Sequence, residues 1–180
     1  VAIGVSPLMP TGMNFETDAK GYLKTNENYE TNVKGVYGAG DIGLMGAVAR
    51  ATQEAGGKTV GVIPIHLMSG EVARQDLDSF VITETMHERK KVMFANSHAA
   101  VVLPGGAGTL DEFFEVVTWA QIGLHKKPVI LLDQNGFWKP LLDLIDHVID
   151  QGFADPSLKK LMIVAGSVAE VEAALAAEFG

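Results

Sequence analysis

Nine residues, PGGAGTLDE from Pro104 to Glu112, gather groups that could hold an anion. Gly105, Gly106 and Gly108 follow the apolar run AAVVL, and Thr109 opens a long amphipathic segment. Bare glycine amides, a threonine hydroxyl and the positive end of a helix dipole converge there, which suits a phosphate monoester. The stretch lacks the Gly-Lys-Ser/Thr ending of a nucleoside-triphosphate P-loop, so a Walker-type ATPase is excluded. The same residues also fit a plain helix start, with Thr109 as cap and Glu112 as its reciprocal partner. A second set, TMHERKK from Thr85 to Lys91, opens the preceding helical segment just after another strand-like run. Arg89 and Lys90 would oppose that helix's dipole, so they either face an anionic partner or form a solvated charge run. His87 reads as a helix-start residue, since no second ligand stands at a metal-binding spacing. A third turn, GAGDIG, sets Gly38, Gly40 and Gly43 in a G-x-G-x-x-G pattern. A dinucleotide site would add a carboxylate about 20 residues on. The stretch GVIPIHL has none there, so these glycines fit a tight strand-helix turn equally well.

Elements must position these groups. From Gly57 onward, β-branched runs (KTVGVIP, SFVITET, AAVVLPG, PVILLD, LMIVAG) alternate with amphipathic stretches such as DEFFEVVTWAQIGL and PLLDLIDHVIDQG. That texture predicts an α/β fold, a mostly parallel sheet covered by helices in a Rossmann-like three-layer sandwich. Parallel strands are expected near residues 36–39, 58–63, 80–84, 99–103, 128–132 and 162–165, with Val1–Gly4 adding a further strand. Thr85-x-x-Glu88, Thr109-x-x-Glu112 and Ser167-x-x-Glu170 fit capping boxes. Pro140 suits a first helical position, and Gly56 and Gly152 suit helix ends. Residues 1–34 are polar and turn-rich without a helical period, which predicts a small irregular or antiparallel excursion. Open parallel sheets bind ligands along the carboxyl edge, where both the glycine turn and Arg89 would lie.

Composition narrows the classes. A chain of 180 residues with 47% hydrophobic content can bury one core, and a single domain over 1–180 is expected. A net charge of -8 argues against a nucleic-acid or anionic-membrane binder. The absence of cysteine removes disulfides, thiolate metal sites and redox CxxC chemistry. No apolar run approaches a membrane span and no signal peptide opens the chain, so a cytoplasmic protein is expected.

From about Val36 to the C-terminus the chain resembles the LOG family, the cytokinin riboside 5'-monophosphate phosphoribohydrolases, which also carry a lysine decarboxylase label. The resemblance rests on GLMGAV, GGKTVGVIP, TMHERK, PGGAGTLDEFFEVVTWAQIGLHKKPVILLDQNGFWKPLL and GF. It implies a Rossmann-like homodimer that hydrolyses the N-glycosidic bond of a nucleoside 5'-monophosphate such as AMP or a cytokinin ribotide. Free base and ribose 5-phosphate would be the products, with no cofactor and no metal. Carried over by motif, Arg89 and Glu112 match the catalytic pair. Lys90 and the stretch Gly105, Gly106, Ala107, Gly108, Thr109, Leu110 and Asp111 match substrate-binding positions, as do Glu71 and Thr118. A carboxylate can activate water and stabilise an oxocarbenium-like ribose, and an arginine can clamp phosphate or sugar bidentately.

Residues 1–42 resemble something else. VAIGVSP and GYLKTNENYETNVKGVYGAGDI look like the C-terminal part of an FAD-dependent pyridine-nucleotide disulfide reductase. In that family Asp41 would contact the flavin ribityl chain, here as a vestige. The resemblance to the LOG family lacks its opening strand and glycine-serine loop. Together these imply a chimera joined at Gly35–Ile42, engineered in preference to the alternative of a natural fusion. Two alternatives to a working hydrolase stay open: a structural chimera without turnover, and a flavin-binding module.

Overall fold

The computed structural model describes residues 2–3, 44–67 and 77–180. These fall into two compact units, Ala2–Ile3 with residues 96–180, and residues 44–67 with 77–95. All strand pairing in both is parallel, as the alternating texture predicts.

The larger unit carries a four-stranded sheet in the order β1-β4-β5-β6: β1 (Ala2–Ile3), β4 (Ala100–Val102), β5 (Val129–Leu132) and β6 (Ile163–Ala165). Between them run α3 (Ala107–Gln121) and α4 (Lys139–Asp150), and α5 (Val168–Phe179) closes the chain. Every residue of β5 is buried, because it lies between two neighbours and its run of Val, Ile and Leu offers no polar face. Ile130, Leu132, Leu103, Ala165 and Val171 pack into one cluster. Phe113, Ile130 and Leu131 are fully enclosed, each worth roughly 1.5–3 kcal/mol of apolar transfer.

The smaller unit holds α1 (Leu44–Glu54), then β2 (Val60–Pro64) paired with β3 (Ser79–Thr83), then α2 (Met86–Ala95). A clasp fixes the amino ends of the two strands. Asp78 Oδ2 accepts from Thr59 N at 2.7 Å and from Thr59 Oγ1 at 2.8 Å, and Asp78 N donates to Thr59 Oγ1 at 3.3 Å. Those bonds to the backbone and hydroxyl of Thr59 hold the Asp78 carboxyl below the ordinary aspartate value.

Helix ends follow the expected signals where chain geometry allows. The Thr85 box forms: Glu88 N donates to Thr85 Oγ1 at 3.1 Å, and Thr85 N donates back to Glu88 Oε2 at 3.3 Å. The Ser167 box forms likewise, with Glu170 N donating to Ser167 Oγ at 3.3 Å. Gly56 and Gly152 adopt φ of 77° and 79° just past α1 and α4, a conformation that favours glycine. Pro140 lies in the first turn of α4, one residue after its first helical position. The strand expected at 36–39 and the N-terminal excursion lie outside the described residues.

Candidate active site

The third capping box does not form. α3 begins at Ala107, with Gly106 at the cap in an extended conformation and no side-chain cap bond. Leu110 N donates to Gly106 O at 3.1 Å, closing the first helical turn. Thr109 is therefore the third helical residue, and Glu112 stands one turn deeper still. The reason lies in the turn: Gly106 has open space around it and takes the cap position before the chain reaches Thr109.

Thr109 makes no cap bond, and both side chains are buried. Thr109 is 0% exposed and Glu112 4%, three positions apart and so on one helix face. Thr109 Oγ1 finds no hydrogen-bond partner among the described residues. Gly105 packs directly beneath it: a Cβ there would overlap Thr109 Oγ1 and stand 2.9 Å from Thr109 Cβ. The turn needs glycine at 105 for space. The first amides of α3 have no intrahelical acceptor and carry the positive end of the dipole, so the turn can receive an anion.

The charge pair on α2 is not a solvated run. Arg89 is 8% and Lys90 9% exposed. Arg89 Nε donates to the Val62 carbonyl of β2 at 3.1 Å, and Arg89 N donates to Thr85 O at 3.1 Å. His87 is exposed, as a helix-start residue would be. The bond to Val62 had no sequence signal, because the acceptor is a backbone atom 27 residues upstream.

The remaining expected residues divide by place. Gly106, Ala107 and Asp111 are exposed on the turn and first helical residues, while Gly108 and Leu110 are half-buried. Thr118 is exposed and lies about 13 Å further along α3, on the face opposite Thr109. It does not join the cluster at the helix start. Glu71, Asp41 and the glycines at 38, 40 and 43 lie outside the described residues. Among the described residues no three His, Asp or Glu side chains gather as metal ligands.

The family model described as possible lysine decarboxylase matches residues 45–175. LOG3 of Arabidopsis thaliana, a cytokinin riboside 5'-monophosphate phosphoribohydrolase, is 40% identical over 146 residues, covering 81% of this chain and 68% of the relative. The chain belongs to the LOG family. Two further LOG relatives of the same name agree: LOG5 of Arabidopsis thaliana, 44% identical over 136 residues (76% of this chain, 60% of the relative), and LOG of Oryza sativa subsp. japonica, 43% over 145 residues (81% and 60%). The chain thus spans about 60–68% of the length of these LOG proteins. The matched residues 45–175 contain Arg89, Lys90 and the whole turn from Gly105 to Glu112.

Proposed function

We propose that this chain is a nucleoside 5'-monophosphate phosphoribohydrolase, taking AMP or a cytokinin ribotide. The observation that carries the reading is the inner face at the start of α3, where Thr109 and Glu112 are both buried just after the glycine turn. The names of the LOG relatives support the same substrate class. In the proposed reaction water attacks the ribose C1', the bond from C1' to the base nitrogen breaks, and the water proton ends on the departing base. Glu112 accepts that proton on its way and stabilises the oxocarbenium-like sugar. Arg89 clamps the substrate as an oriented fork, and Lys90 adds charge. The Gly105–Asp111 backbone holds the phosphate as a remote handle whose binding positions the sugar. Glu71 completes the substrate contacts, and the protein works as a homodimer. Exposed Phe114 on α3, with Ile122 and Leu124 beyond its end, supports an interface there.

The phosphate handle gives the test. AMP should release adenine, while adenosine, which lacks the phosphate, should react at least about a hundredfold more slowly. Equal rates on both would remove the phosphate turn from the mechanism.

We further propose that residues 1–42 derive from a flavoprotein reductase, making the chain an engineered chimera. Support comes from the reductase-like sequence and from a family match that starts at residue 45. A protein that purified with bound flavin absorbance would replace this vestigial reading of Asp41 with a working flavin site.

A further inference from the structure

Arg89 is tied to a particular atom of a particular strand. In the β2–β3 pairing Ser79 N donates to Thr59 O at 3.2 Å, and the register runs from Val60 opposite Ser79 to Pro64 opposite Thr83. Carbonyls alternate along a strand, so those of Thr59, Gly61 and Ile63 face β3 and that of Val62 faces away. Arg89 Nε reaches this outward carbonyl at 3.1 Å. A bond through Nε fixes the plane of the guanidinium. A fork with a fixed plane can meet two oxygens of an anion without first losing rotational freedom.

The residue just before that carbonyl is Gly61, and space is what keeps it a glycine. A Cβ at 61 would stand 2.5 Å from Leu77 Cδ1 and 2.9 Å from Phe80 Cε2. Phe80 is its direct cross-strand partner. Any side chain here must displace the Phe80 ring and Leu77 or push β2 away from β3. The Asp78–Thr59 clasp holds the amino ends of both strands, so the displacement falls on the carboxyl half, where Val62 sits.

We propose that Gly61 is a positioning residue for Arg89: it lets Phe80 close over β2, which sets the Val62 carbonyl and through it the plane of the guanidinium. The proposal rests on the reading of Arg89 as the catalytic arginine. Its test combines two readouts on the full chain, with Gly61→Val as the main variant and Gly61→Ala as the milder one should the first not fold. Proton exchange at Arg89 Nε is followed by 15N NMR, the signal being identified by its loss in Arg89→Lys. Turnover of AMP is measured with Arg89 intact and in the Arg89→Lys background. The expected result is exchange at least about tenfold faster and kcat/KM about tenfold lower or worse, with no further loss once Arg89 is lysine. Unchanged exchange in a folded variant would overturn the proposal, and so would equal losses in both backgrounds. Failure of the wild type to release base from AMP would instead strike the hydrolase reading, and the exchange measurement would still decide the anchor.

Discussion

Thr109 is enclosed on all sides, and its hydroxyl has no hydrogen-bond partner among the described residues. A buried hydroxyl in that state costs stability, so an isosteric valine should leave the fold as stable or more so. If the hydroxyl serves the substrate, Thr109→Val should keep its melting temperature while kcat/KM for AMP falls about tenfold, the size of one lost hydrogen bond to an anion. A melting temperature lowered as by a lost helix cap, with activity intact, would make Thr109 structural. Gly105 offers the complementary test. Gly105→Ala drives a methyl group into Thr109 and should cost about 1–3 kcal/mol by overpacking, read from denaturant unfolding. The types and spacing of these residues were legible in the sequence, and so was their link to a phosphate. Their burial was not, because it depends on where the helix begins, and Gly106 takes the cap three residues before Thr109.

Helix starts show where local signals suffice. Thr85 and Ser167 each stand two residues past a strand end and become caps as the pattern predicts. At Thr109 the preceding Gly106 takes the cap first, and the same pattern fails. Ser167→Ala should therefore cost about 1 kcal/mol in chemical denaturation, whereas Thr109→Ala loses no cap bond at all. Strand positions were legible to within two residues because β5 and its neighbours read as unbroken apolar runs. Gly61 was not: nothing in VGVIP announces that Phe80 lies over it. The Asp78–Thr59 clasp gives a pH prediction at this scale. The bonds favour the carboxylate and lower the Asp78 pKa, so its stabilisation is present above the ordinary value of 3.8. It is lost as pH falls through the lower folded value. Asp78→Asn should flatten this part of the acid limb of stability, measured by thermal melts from pH 5 downward in about half-unit steps. An unchanged slope would mean the clasp carries no linkage.

At the scale of the molecule, the family was legible because two signatures, MHERK and PGGAGT, sit in the right order and on the right kind of element. Apart from Ala2–Ile3, the reductase-like stretch, Asp41 included, lies outside the described residues. We propose that Asp41 limits activity, because a carboxylate about 4 Å from a phosphate oxygen costs on the order of a few kcal/mol at an effective protein dielectric. Asp41→Ser should then tighten AMP binding in calorimetry, most at low salt where screening is least. Equal affinity at low ionic strength would acquit Asp41. No helix among the described residues is long and apolar enough to cross a membrane. We propose that the buried Glu112 is the group that makes this chain a phosphoribohydrolase. The most direct test is adenine release from AMP by the wild type beside Glu112→Gln, which keeps the side chain's size and removes its basicity. The expected result is stoichiometric adenine and ribose 5-phosphate from the wild type and a rate at least about a hundredfold lower from the folded variant. Adenine release at equal rates from both, or none from a folded wild type, would contradict it.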